Sequence, residues 1–359
     1  MKKTLPAFIG LLLGLAGCAS MPQFTHYPAQ QIAVGPGPED MVADTFAGRR
    51  RLLVSCDERR DARSPHAEIW SVSLGDGKAE VLSRKNEPAG EFSFHPHGID
   101  LFFENGKTFL VVVNHNVAAN RQSLLWYEVV KNELRWLQEL YADETQVYRR
   151  YRYPFREGTE YSLRVDTCKA AENVFTTAND VCVSPDAALL WTNDLSAYGR
   201  MSEAVFGAKS GWVGRYGGCE DYRRTRYKIA YPNGLAWYAG DLFVSTTRQN
   251  VLLRYAKGDM SVKPEKITPL YGGDNITVSG NELLVTAHLK PLRFLKHRKD
   301  PAVKSPSVVY AVNPASGARR TLFADDGNAI SAASTAIRIG NDLYICQVFD
   351  AFILKVQLP

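Results

Sequence analysis

A chain of 359 residues that is 45% apolar and 11% aromatic is long enough for two ordinary domains or one large all-β domain, with a sizeable core either way. Its formal net charge of +5 is modest for that length, and its basic residues are scattered, with Arg49-Arg50-Arg51 and Arg223-Arg224 set among acids or strand-like runs. The dense one-sided stripe of a nucleic-acid binder is missing, so nucleic acid is excluded as a partner.

The first segment reads as an address rather than as fold. Lys2 and Lys3 precede an apolar run over residues 8–15 that is too short to span a bilayer, and the run ends in Leu15-Ala16-Gly17-Cys18. Small residues before a cysteine are the pattern of a bacterial lipoprotein signal. Residues 1–17 are therefore expected to be removed, Cys18 to carry the lipid and 18–30 to form a tether, leaving 31–359 as the folded domain. The protein is expected to be exported and lipid-anchored, with the membrane as a partner through Cys18. In a Gram-negative host, Ala19 after the cysteine points to the outer membrane, facing the periplasm. An ordinary signal peptide with a chance cysteine is the alternative.

The rest of the chain repeats itself. A polar pair or a His-Gly opens a short apolar strand, a tight turn follows, and a second strand rich in Val, Leu and Phe comes next. The units open at Glu39-Asp40, His97-Gly98, Asn179-Asp180, Asn233-Gly234, Asp274-Asn275 and Ser334-Thr335. Gly240-Asp241, Gly280-Asn281 and Gly340-Asn341 stand between alternating runs and are hairpin signals. Third strands such as Glu68-Ile69-Trp70-Ser71-Val72 and Val308-Val309-Tyr310-Ala311-Val312 follow. Six such units fit a six-bladed β-propeller, whose innermost strands all start at one end of a central channel. Two β-sandwiches are the rival all-β arrangement, but they give no reason for the openings to recur. Helical periodicity is confined to residues 132–141. Three segments fall outside the repeat, 145–177, 196–227 and 288–307, and loops of that length are expected to be functional, at least one of them covering the channel mouth.

Besides Cys18 there are five cysteines. Cys56, Cys182 and Cys346 lie in apolar runs where buried thiols are common, whereas Cys168 and Cys219 lie in the insertions and are expected to pair. No CxxC spacing, serine-hydrolase elbow or Walker loop occurs.

In a propeller the six openings converge. They bring together the carboxylates of Glu39 and Asp274, the amides of Asn179, Asn233 and Asn275 and the imidazole of His97, with Asp40 and Asp180 adjacent. A mixed oxygen set without thiolates suits calcium better than magnesium, and carboxylates crowded in one channel call for a cation between them. Polar residues capping strand starts in a wet channel are the plainer alternative. His97 and His115 fall on neighbouring strands of the second unit. Zinc held by His95-Pro96-His97 is one reading, and acid–base work by the two imidazoles on a water at the metal is the preferred one. His26, His66 and His288 read as structural.

Pro38-Glu39-Asp40, Pro96-His97-Gly98-Ile99, Val112-Val113-Asn114-His115, Asn179-Asp180-Val181, Asn233-Gly234 and Asp274-Asn275-Ile276, in that order, resemble the paraoxonase/arylesterase family. The resemblance runs from about Gly35 to the C-terminus, and it is the ordered set that is specific. It implies two calcium ions. The catalytic one would be held by Glu39, Asn179, Asn233, Asp274 and Asn275, and the structural one by Asp40, Asp180 and the backbone carbonyl of Ile99. It further implies a His97–His115 dyad, with Asp274 the rival base, and lactone or aryl ester substrates. Residues 59–66 fall where the family has a mobile active-site loop. The family's disulfide joining the chain ends has no match here, so closure is expected to rest on strand pairing. Gluconolactonase-type propellers share the Asn233-Gly234-Leu235-Ala236 pattern but not the two histidines. The expected chemistry is metal-assisted ester hydrolysis. A sugar-lactone hydrolase and a non-catalytic calcium-stabilised propeller that binds a partner are the alternatives.

Overall fold

Alternating runs separated by tight turns fold into antiparallel hairpins, and the hairpins assemble into a β-propeller. The computed structural model describes residues 21–61, 64–90, 92–153, 162–169, 174–196, 203 and 206–359. The expected signal segment and Cys18 lie outside the described residues, as does part of each of the loops 59–66, 145–177 and 196–227. No described helix is long and apolar enough to cross a membrane.

The first described strand is β1 (Ala29–Ala33). The first full sheet is β2 (Pro38–Asp44), β3 (Arg51–Asp57), β4 (Ala67–Ser73) and β5 (Ala79–Val81). The second holds β6 (Ser83–Lys85), β7 (Pro96–Glu104), β8 (Lys107–Asn116), β9 (Arg121–Val130), β10 (Glu133–Ala142), β11 (Gln146–Tyr153) and β12 (Ser162–Lys169). The third is β13 (Ala178–Val183), β14 (Leu189–Asn193), β15 (Trp212–Tyr216) and β16 (Tyr222–Arg224). The fourth is β17 (Pro232–Tyr238), β18 (Asp241–Thr246), β19 (Val251–Tyr255) and β20 (Glu265–Pro269). The fifth is β21 (Gly273–Ser279), β22 (Glu282–Ala287), β23 (Ser307–Val312) and β24 (Arg319–Asp325). β25 (Ala333–Ile339), β26 (Asp342–Gln347) and β27 (Phe352–Gln357) complete the last sheet by pairing with β1. That pairing, from Ala29 opposite Val356 to Ala33 opposite Phe352, joins the two ends of the described chain by backbone hydrogen bonds and leaves no open edge at the seam.

The innermost strands β2, β7, β13, β17, β21 and β25 neighbour one another in chain order, and β25 returns to β2. Apolar side chains fill the gaps between adjacent sheets. Leu53, Ile69, Leu110, Leu125 and Trp136 pack between the first and second, and Ile32, Val54, Cys56, Tyr344 and Ile353 between the last and first.

Five sheets have the expected four strands, but the second is enlarged to seven. Beyond β7–β10 it takes in β6, which pairs parallel to β10, and β11 and β12. Residues 132–141 form β10, not a helix: a bulge between Trp136 and Gln138 breaks the two-residue alternation and gives the buried Trp136 and Leu140 a helix-like spacing. The segment 145–177 contributes β11 and β12, whose outer strand is largely exposed and so lacks an apolar signature. The segment 196–227 supplies β15 and β16, which are ordinary strands of the third sheet. The segment 288–307 contains the helix α1 (Pro291–Lys299), started by proline in its first turn. Cys168 on β12 is bonded to Cys219 between β15 and β16, while Cys56, Cys182 and Cys346 are buried and free.

Candidate active site at the channel mouth

Each opening pair sits in a β-bulge at the same register of its sheet. Two residues of the first strand face one of the second: Glu39-Asp40 opposite Ser55, His97-Gly98 opposite Val113, and Asn179-Asp180 opposite Thr192. Asn233-Gly234 faces Ser245, Asp274-Asn275 faces Thr286, and Ser334-Thr335 faces Cys346. A bulge re-aims side chains that a regular strand would alternate between its two faces. Here it turns one polar residue per sheet toward the channel.

The opposed hydroxyls lock neighbouring sheets together. Ser55 Oγ donates to the carbonyl of His97 at 2.6 Å and Thr192 Oγ1 to that of Asn233 at 2.7 Å. Ser245 does the same to Asp274 and Thr286 to Ser334. Val113 has no hydroxyl, and there the ring of His97 bonds the carbonyl of Asn179. Gly98 and Gly234 are required by this close approach: a Cβ on either would lie 2.5 Å from the backbone of Asp180 or Asn275.

The second residue of the bulge holds the ring from inside. Asp40 Oδ2 accepts from the amide of Ile99 at 2.8 Å, and its Oδ1 from Met41 and Thr335 at 2.9 Å each. Asp180 Oδ1 accepts from Val181 at 2.8 Å and Oδ2 from Leu235 at 2.6 Å. Burial pushes Asp40 up to about 7, and burial together with the Asp40 charge raises Asp180 well above the usual carboxylate range. Of the predicted trio, Asp40 takes the amide of Ile99, and Asp180 lies near enough to feel the Asp40 charge.

In every sheet but the last, the first residue of the bulge is matched with the residue two positions beyond the one facing the bulge, at or next to the end of the second strand. His97 and His115 pack ring on ring with centroids 4.9 Å apart. Asn179 Nδ2 lies 3.5 Å from Asp194 Oδ2, and Asn233 Nδ2 donates to Thr247 Oγ1 at 3.2 Å. His288 Nε2 is 2.6 Å from Asp274 Oδ2. Glu39 reaches its counterpart Asp57 through Arg59, whose Nη2 lies 2.6 Å from Glu39 Oε2 and whose Nη1 lies 3.4 Å from Asp57 Oδ2. Asp57, Asp194 and His288 were not singled out from the sequence, and His288 was read as structural. The signal available was their register, since each occupies the position His115 holds in the second sheet.

Burial dominates the electrostatics. It raises the carboxyls of Glu39 and Asp274 despite Arg59 and His288 beside them. It lowers His97, which Arg59 lowers further, and it holds His115 down at about 3 with help from His97. Both imidazoles are thus neutral at neutral pH. His115 Nε2 lies 2.8 Å from the carbonyl of Ala178, and His97 Nε2 lies 3.2 Å from Glu39 Oε1.

A hard cation fits this donor set. The amide nitrogens of Asn233 and Asn275 are tied to Thr247 and Thr335, which leaves both Oδ1 atoms buried and without a hydrogen-bond partner. A buried oxygen left unpaired is costly and is satisfied by a ligand. Among the described residues no three His, Cys, Asp or Glu side chains gather as a metal site. Helix α1 lies beside the mouth, with the ring of Phe294 on His288 at 4.5 Å and on Phe349 at 5.2 Å.

No protein-family model and no curated protein sequence matches the chain. Solved structures do. A protein provisionally assigned as a gluconolactonase is 17% identical with a TM-score of 0.52, over 92% of each chain. Virginiamycin B lyase from Staphylococcus aureus is 12% identical with a TM-score of 0.55, over 93% of this chain and 100% of that one. A streptogramin B lyase is 10% identical with a TM-score of 0.53, over 93% and 98%. At these identities the likeness establishes the β-propeller fold and leaves the chemistry to the site.

Proposed function

We propose that this protein is a calcium-dependent hydrolase of lactones or aryl esters, of the paraoxonase-like kind and anchored in the membrane through Cys18. The enlarged second sheet counts as one blade of a six-bladed propeller. The observation that supports the reading is the recurring bulge at one register of all six sheets, which gathers the carboxylates of Glu39 and Asp274, the unpaired amide oxygens of Asn233 and Asn275 and two neutral imidazoles. Glu39, Asn179, Asn233, Asp274 and Asn275 would hold the catalytic ion, and Asp40, Asp180 and Ile99 the structural one. A calcium ion bound there supplies Lewis-acid polarisation of the ester carbonyl and charge for the oxyanion.

The chain's own residues handle the proton. His97 accepts it from the attacking water, while His115 packs behind it and is itself oriented by the carbonyl of Ala178. The depression that keeps His97 neutral also makes it a weak base. The raised carboxyl of Asp274, held by His288, is its rival.

A second reading, a sugar-lactone hydrolase, is favoured by the fold shared with the protein assigned as a gluconolactonase. Hydrolysis of aliphatic lactones, aryl esters and a sugar lactone, with calcium and with a chelator, separates the cases. Calcium-dependent turnover of aliphatic lactones or aryl esters is the expected result. Turnover of the sugar lactone alone selects the second reading. A folded, calcium-loaded protein inert toward all three is a binding propeller.

A further inference from the structure

Two residues beyond β3 the chain returns a cation into the mouth. Arg59 Nη2 sits 2.6 Å from Glu39 Oε2 and donates to the carbonyl of Pro96 at 2.9 Å, and Nη1 faces Asp57 Oδ2 at 3.4 Å. The side chain is only 13% exposed, yet its Nε is buried without a partner. Asp57 turns its other oxygen to His95 Nδ1 at 3.1 Å, and Glu39 turns its own to His97 Nε2 at 3.2 Å. Oε2 of Glu39 is thus held by the guanidinium as an ion pair, without an aligned hydrogen bond, and Oε1 faces imidazole.

A divalent ion that uses Glu39 has to take it from Arg59, because two cations cannot share one buried carboxylate at contact distance without strong repulsion. The unpaired Nε marks the guanidinium as imperfectly satisfied where it stands, which lowers the cost of moving it. The next residue stays put. Arg60 Nη2 is 2.9 Å from Asp350 Oδ1 and its guanidinium lies over the ring of Phe349 at 5.1 Å, pinning the start of the loop. Arg59 can therefore leave by rotating its own side chain, without the loop opening.

We propose that Arg59 is the chain's own counter-ion for Glu39 and that it sets how tightly the channel mouth holds a divalent cation, swinging off Glu39 as the ion enters. This rests on the reading that the mouth binds such an ion. Relative to an isolated oxygen cage, the built-in guanidinium weakens affinity, and its departure offsets part of the charge that the entering divalent ion brings.

Calorimetric titration of the purified full chain with calcium chloride tests this without reference to turnover. Arg59→Met should bind calcium at least about tenfold more tightly than wild type. Arg59→Lys keeps one charge but loses the fork, and should fall between the two. Should Arg59→Met fail to fold by near-ultraviolet circular dichroism, the lysine variant decides, with tighter binding than wild type supporting the proposal. Folded variants that bind calcium no more tightly than wild type overturn it and leave the cation site standing. An absence of calcium binding in wild type and variants alike overturns the cation site and the proposal together.

Discussion

His288 Nε2 lies 2.6 Å from Asp274 Oδ2, so the residue just beyond β22 grips the bulge that opens β21. Its ring also carries Phe294 of α1 at 4.5 Å. His288 is thereby one contact between the helical insertion and the candidate site. It orients a carboxylate that is both a candidate ligand and a candidate base. His288→Ala should lower kcat by on the order of 100-fold and leave KM nearly unchanged. His288→Gln, which keeps a donor, should recover part of the loss. Equal kcat for wild type and the alanine variant would show that Asp274 needs no such partner.

His115 gives a pH test whose sign follows from its burial. Its ordinary value is 6.5 and the folded chain holds it at about 3. Between those pH values the unfolded chain has taken up a proton that the folded chain has not. The contribution of His115 is thus intact above 6.5 and is lost as the pH falls toward 3. Denaturant midpoints of wild type and His115→Gln, compared from pH 7.5 to 3.5, should move against wild type on acidification. A difference that stays flat with pH would mean that the imidazole takes up its proton equally in the folded and unfolded chains.

The disulfide between Cys168 and Cys219 ties the outermost strand of the enlarged sheet to the third sheet. β12 is otherwise held by its pairing with β11, and most of its side chains are exposed. Replacing both cysteines by serine should speed amide exchange along β12 by about tenfold or more and leave β13 and β14 unchanged. Measured by mass spectrometry, an unaltered β12 would show that strand pairing alone holds the insertion.

The six openings were legible because a bulge needs the same kind of residue each time, so Glu39-Asp40, Asn179-Asp180 and Asp274-Asn275 carry the signal in adjacent positions. Strand-end residues carry no such local mark. Asp57, Asp194 and His288 are polar residues at or just beyond the ends of second strands, and they acquire a partner only through the register of a hairpin. The position of Arg59 is harder still, since a loop delivers its side chain to Glu39, 20 positions earlier in the sequence. β12 was missed for the opposite reason: a strand exposed on both faces has no apolar alternation to read.

Removal of the cation should expose the carboxylates as a pH dependence opposite in sign to that of His115. Asp40 is pushed from 3.8 to about 7 by burial. Between those values the folded chain keeps a proton that the unfolded chain has released, so stability is full below 3.8 and falls as pH rises toward 7. Asp180 moves in the same direction beside it. With a chelator, the melting temperature of wild type relative to Asp40→Asn should therefore drop across that window, because the amide has no proton to lose. With calcium in excess the drop should vanish, since the ion binds the ionised carboxylates and replaces the proton as their counter-charge. A drop that persists at saturating calcium would place the ion away from Asp40 and leave the inner end of the ring held by the amides of Ile99 and Leu235 alone.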